Sequence, residues 1–130
     1  MRLLVVRHAE AAPGEPDALR KLTARGLAQA RALGAQLRGD GLVPNAVLTS
    51  PLLRARETAT ALELGEPAVD DRLAPGATPT GVRDAVRGRG ETVLVVGHQP
   101  DCGRVAAALT EGPEPFFPPC GYAVLELGDD

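Results

Sequence analysis

The chain has 130 residues, 44% of them hydrophobic but only 2% aromatic, and a formal net charge of −3 with Lys21 as its one lysine. That length suits one domain, expected over residues 1–130, with a core of Leu, Val and Ala. The acidic balance argues against nucleic acid as a partner, since a nucleic-acid binder usually carries a basic domain, and the wealth of Arg, Gly and Pro reads as a GC-rich coding sequence.

The first predicted element is a strand at Leu3 to Val6, an unbroken apolar run that stops at Arg7, His8 and Glu10 in "LLVVRHAE". Runs of this kind suit strands covered on both faces, as in parallel sheets. "MRLLVV" is too short for a signal peptide, and no stretch approaches a membrane span, so a soluble, cytoplasmic protein with no membrane partner is expected. Pro13 to Pro16 is a turn-rich loop. A helix is predicted from Thr23 to about Arg38, with Leu27, Ala30, Leu33 and Leu37 at helical spacing, Thr23 as its cap, and Gly39 and Gly41 at its end.

A second strand, Ala46 to Thr49, leads into a helix predicted over Pro51 to Leu64 that carries Arg54 and stops at Gly65. Leu73 to Pro79 reads as loop, followed by a weaker helix at Thr80 to Val86. The third strand, Thr92 to Val96, ends like the first, in "VLVVGHQP" with His98. A helix then runs from Pro100 to Thr110, a loop from Glu111 to Pro119, and a last strand from Tyr122 to Leu127. That strand alternates Ala123, Leu125 and Leu127 with more polar neighbours, which suits a sheet edge. Cys102 and Cys120 have no CxxC spacing and no ligand cluster, so they read as reduced thiols, and no metal or other cofactor is expected.

Strands alternating with helices predict an α/β fold: a mainly parallel sheet between two helix layers. Ligands of such sheets bind at the carboxyl ends of the strands, where Arg7, His8, Arg54 and His98 all fall. Two guanidinium forks match phosphate oxygens, and the helix starts after Ser50 and His98 add backbone N–H groups. A histidine beside arginines is held neutral and is then a competent nucleophile toward phosphorus. A second histidine, if protonated, stabilises the transferring group. Ser50 reads as a helix cap, and Arg56 and Glu57 as surface or helix-pair residues.

"RHAE", "LTARG", "SPLLRARETA" and "VGHQP" together resemble the histidine phosphatase superfamily (phosphoglycerate mutase-like), and in length and spacing its SixA-type phosphohistidine phosphatases. The resemblance implies a three-layer α/β/α domain with one antiparallel edge strand, for which Tyr122 to Leu127 is the candidate. It implies His8 as the residue that takes the phosphoryl group, Arg7 and Arg54 as its clamp, and His98 as the second pocket histidine. Gly26 falls on the glycine of "LTxxG", a helix-packing position. Arg20 and Gln99 are candidate substrate contacts at the rim. Ala9 stands where the family commonly has glycine, which would cost strain if the backbone needed a positive φ there. The mid-chain stretch "DDRLAPGATP" holds no acid after Leu73, where mutase-like relatives carry a proton donor; Glu10, Asp17 and Asp101 are the weak candidates left.

The implied function is hydrolysis of phosphohistidine on a histidine phosphotransfer or phosphorelay protein, through a phosphohistidine formed on His8. The alternatives are a phosphatase for small phosphomonoesters and a phosphate-binding module without turnover. Nothing in the sequence sets the oligomeric state.

Overall fold

The computed structural model describes residues 1–128. Five strands form one sheet: β1 (Arg2–Arg7), β2 (Ala46–Thr49), β3 (Pro67–Val69), β4 (Thr92–Gly97) and β5 (Tyr122–Glu126), in the order β3-β2-β4-β1-β5. β3, β2, β4 and β1 pair in parallel, and β5 pairs antiparallel with β1 at the edge. The four helices are α1 (Ala24–Gly39), α2 (Leu53–Ala61), α3 (Pro79–Val86) and α4 (Asp101–Thr110).

Strand alternation divides the core into two layers. Leu4, Val6, Val47, Leu94 and Val96 point to one face and pack with Leu33 and Leu37 of α1 and with Ala55 and Ala59 of α2. Leu3, Val5, Leu48, Val93 and Val95 point to the other and pack with α3, α4, Phe117 and Leu125. The expected α/β/α architecture with an antiparallel edge is therefore the one observed.

Three local expectations need correction. β3 was missed: it is three residues long, begins with Pro67, and is only partly buried on the sheet edge, so it has neither length nor alternation to announce it. α2 is shorter than Pro51 to Leu64. The Ser50 hydroxyl accepts the Leu52 N–H at 3.2 Å, holding a turn before the helix, and Glu63 turns left-handed at φ 53 after it. The last strand ends at Glu126 rather than Leu127. α1 matches its reading, with Thr23 accepting the Gly26 N–H at 2.9 Å as a cap.

Helix placement also fixes where a ligand can bind. α1 and α2 lie on one face, while α4, which follows β4, lies on the other. Because β4 sits between β2 and β1, the chain leaves adjacent strand ends in opposite directions there, which opens a crevice.

Candidate active site

Register brings the two histidines to that crevice at one level. Arg7 pairs with Gly97 across β1 and β4, so His8 and His98 are the next residues out, and the His8 N–H donates to the Gly97 carbonyl at 3.0 Å. Thr49 pairs with Val96, which places Ser50 beside them, and the Ser50 N–H donates to Val96 at 3.1 Å. The imidazole centroids are 5.2 Å apart with a tilt of 57°.

His8 has a defined tautomer. Its Nδ1 lies 2.7 Å from the Ala9 carbonyl oxygen, which can only accept, so Nδ1 carries the proton and Nε2 presents its lone pair. Burial pushes the His8 pKa down to about 4; the Ala9 hydrogen bond opposes the shift, and Arg54, Arg7 and Arg20 add to it. Ala9 causes no strain. It has no positive φ, is fully buried, and donates its N–H to Thr58 Oγ1 at 3.0 Å. A small residue suffices at this position.

His98 is 5% exposed and is also pushed down to about 4, by burial first, then by His8, Arg54 and Arg7 against the opposing pull of Asp17. The expectation of a protonated second histidine is thus corrected for the ligand-free site, and burial outweighs the arginines as the cause for both rings. His98 Nε2 lies 2.8 Å from Ser50 Oγ, and its Nδ1 is buried with no hydrogen-bond partner.

The guanidinium of Arg7 donates from Nη1 to the Phe117 carbonyl at 2.9 Å, while its buried Nε has no partner. Arg54 is 7% exposed. It donates to the Asp17 carbonyl at 2.9 Å and to the Asp17 carboxylate at 3.2 Å. Arg20 donates to the Ala12 carbonyl at 2.9 Å and to the same carboxylate at 3.2 Å. Arg20 holds the exposed Asp17 carboxyl below the usual carboxylate range, with Arg54 contributing. Arg7 and Arg54 thus lie near enough to act electrostatically on both of the paired imidazoles, and Arg20 on His8.

The weak candidate acids are occupied as acceptors. Glu10 accepts from Thr23 Oγ1 at 2.8 Å, and Asp101 accepts from the Gly76 N–H at 2.8 Å, tying down the loop before α3. The Gln99 side-chain oxygen caps α4 by accepting from the Gly103 N–H at 3.0 Å. Glu57 is not a plain surface residue: it accepts the Leu22 N–H at 2.8 Å and so anchors the first loop to α2.

Sequence reasoning missed Thr58 and the tie of Ser50 to His98. Thr58 is fully buried, accepts from Ala9, and donates to the Arg54 carbonyl at 2.8 Å. Its place four residues after Arg54, on the same helix face, was the available signal. Ser50, also fully buried, holds His98 as well as the turn before α2. No sequence pattern pairs it with a histidine 48 residues away.

Among the described residues, no group of three His, Cys, Asp or Glu could hold a metal ion, and no helix is long and apolar enough to cross a membrane. Both cysteines are free, and burial pushes their thiols up, Cys102 to about 12 and Cys120 to about 11.

Comparison with known proteins agrees with this geometry. Residues 3–75 match the model of the histidine phosphatase superfamily, branch 1. An uncharacterised protein of Picosynechococcus is 35% identical over 86% of this chain and 74% of its own length. The phosphohistidine phosphatase SixA of Escherichia coli is 32% identical over 88% of this chain and 78% of its own. A structure of the protein histidine phosphatase SixA complexed with tungstate superposes with a TM-score of 0.88, at 27% identity, covering 98% of this chain and 88% of that one. The chain belongs to the histidine phosphatase superfamily, is similar in structure to SixA-type phosphohistidine phosphatases, and has the phosphoryl-transfer chemistry typical of that superfamily.

Proposed function

We propose that this protein removes phosphate from histidine side chains of other proteins, through a phosphohistidine formed on His8. The observation that carries the reading is the His8 ring: Nδ1 is committed to the Ala9 carbonyl, which leaves Nε2 with its lone pair, and the ring lies beside His98 within reach of the fields of Arg7 and Arg54. In the first step Nε2 forms a bond to phosphorus as the substrate's N–P bond breaks, with Arg7 and Arg54 holding the equatorial oxygens. In the second, water bonds to phosphorus, one of its protons passes to a phosphate oxygen or solvent, and His8 leaves neutral with Nδ1 still protonated.

The engaged carboxylates favour phosphohistidine over alkyl esters. An alkoxide needs a proton as it leaves, and a positioned acid supplies about 10²–10⁴-fold. Glu10 and Asp101 are bound as acceptors, and Asp17, the acid nearest the arginines, is held deprotonated. A phosphohistidine protonated on its distal nitrogen leaves as neutral imidazole and needs no such acid. A cleft of about 520 Å³ lies between α1 and the segment carrying the exposed Phe116; none of the four site side chains lines it, but Phe117, whose carbonyl holds Arg7, does. Arg20, bonded to the Ala12 carbonyl and to Asp17, is the proposed rim contact for the substrate.

The test is a panel of phosphohistidine protein and small phosphate esters, on wild type beside His8→Ala. The expected result is faster turnover of phosphohistidine and loss of at least about 10³-fold in His8→Ala, in line with nucleophile removal elsewhere. Faster turnover of esters, or activity that survives the substitution, overturns the reading.

A further inference from the structure

Ser50 lies outside the set of groups that contact phosphate in the proposed reaction, yet its hydroxyl is fully buried against the second pocket histidine. The hydroxyl has two partners. One is the Leu52 N–H, which can only donate, so Ser50 Oγ accepts there at 3.2 Å. The other is His98 Nε2 at 2.8 Å, where either group could in principle supply the proton.

Hydrogen-bond accounting decides between the two arrangements. If His98 carried its proton on Nε2, Ser50 would accept twice, and its own buried proton would have no acceptor among the described residues. The buried Nδ1 of His98 would then also be a bare lone pair with no donor, so two buried polar groups would go unused rather than one. If Ser50 donates to Nε2, every Ser50 group is used, and the proton of neutral His98 sits on Nδ1. The one buried side-chain nitrogen of His98 without a protein partner then becomes a donor awaiting an oxygen.

We propose that Ser50 is a positioning residue: its hydroxyl donates to Nε2 of His98 and fixes the Nδ1–H tautomer, which aims an uncharged donor at a phosphoryl oxygen. The proposal rests on the proposed function for what that oxygen belongs to, but the tautomer itself does not depend on turnover. It also gives a neutral His98 a part in phosphoryl transfer. The donor strengthens as charge builds on the oxygen in the transition state, with no charge placed beside two arginines beforehand.

Two-bond ¹H–¹⁵N spectra of the imidazoles in the ligand-free protein test the proposal directly, because they distinguish the protonated ring nitrogen from the bare one. The expected wild-type spectrum has His98 protonated on Nδ1 at pH 7. Ser50→Ala is expected to release the ring toward the Nε2–H form and to lower kcat about 10–100-fold with a smaller change in KM. Ser50→Thr, which keeps the hydroxyl, restores the Nδ1–H signature. A wild-type spectrum with His98 protonated on Nε2 overturns the proposal even if no variant folds. So does a folded Ser50→Ala protein that keeps the Nδ1–H form. A protein that shows the tautomer but turns over no phosphohistidine refutes the functional reading and leaves the role of Ser50 standing.

Discussion

His8 and His98 both pass from an ordinary value of 6.5 to about 4 on folding, with burial as the main cause. The folded chain therefore binds fewer protons than the unfolded chain between those values. Stability is complete above pH 6.5 and falls as the pH drops toward 4, because the unfolded state takes up protons that the crevice refuses. Thermal melts from pH 7 to pH 4 check this, and substituting both histidines by Gln should flatten the profile in that window. Activity has the same acid limb. On the proposed mechanism kcat/KM declines only as His8 is protonated, so its lower inflection lies well below 6.5, measurable in a pH–rate profile of the free enzyme. Thr58 offers a second residue-scale prediction. Thr58→Val keeps the shape but leaves the buried Ala9 N–H without its acceptor and removes the second, hydroxyl donor to the Arg54 carbonyl, which keeps its helical bond. Loss of about 1–3 kcal/mol is expected in denaturant unfolding.

At the scale of elements, two glycines let α1 approach its neighbours. A Cβ on Gly26 would overlap the Glu10 carbonyl oxygen, and one on Gly34 would overlap the Leu62 carbonyl oxygen. In both cases the obstacle is backbone rather than a side chain that can turn away. Gly26→Ala and Gly34→Ala should each cost at least about 1–3 kcal/mol, read as a drop in melting temperature. Gly26→Ala should also cost activity, because it pushes on the segment that follows His8, whereas Gly34 lies at the far end of α1 from the site. The packing role of Gly26 was legible in "LTARG"; that of Gly34 was not, since a glycine inside a helical pattern gives no hint of which backbone crosses it.

For the molecule as a whole, the crevice between oppositely directed helices holds cationic and donor groups with one exposed carboxylate, Asp17, lying on Arg54. An anion that binds there stabilises the folded state by mass action, about 2.7 kcal/mol at a hundred times its dissociation constant. Inorganic phosphate should raise the melting temperature of wild type and not that of Arg54→Ala. It should bind more tightly to Asp17→Asn, in which the competing charge is gone. Calorimetric titration of the three proteins decides the matter, and equal affinities across the set would show that phosphate does not use Arg54.

The sequence by itself determined the alternation of strands and helices, a last strand suited to a sheet edge, and the four charged or imidazole side chains at the strand ends and the helix start. These follow from local periodicity, caps and run length, which one stretch of chain carries alone. That the edge strand runs antiparallel was legible only through the family resemblance. Only the tertiary structure decided the rest. β3 exists because β2 offers it an edge, not because Pro67–Val69 prefers to be a strand. The proton position on His8 depends on a carbonyl that points at its ring. The neutrality of His98 and the engagement of Asp17, Ser50 and Thr58 depend on burial and on partners 37 to 49 residues away. Protonation and hydrogen bonding are set by surroundings, and in this fold the surroundings of each site residue come from other strands.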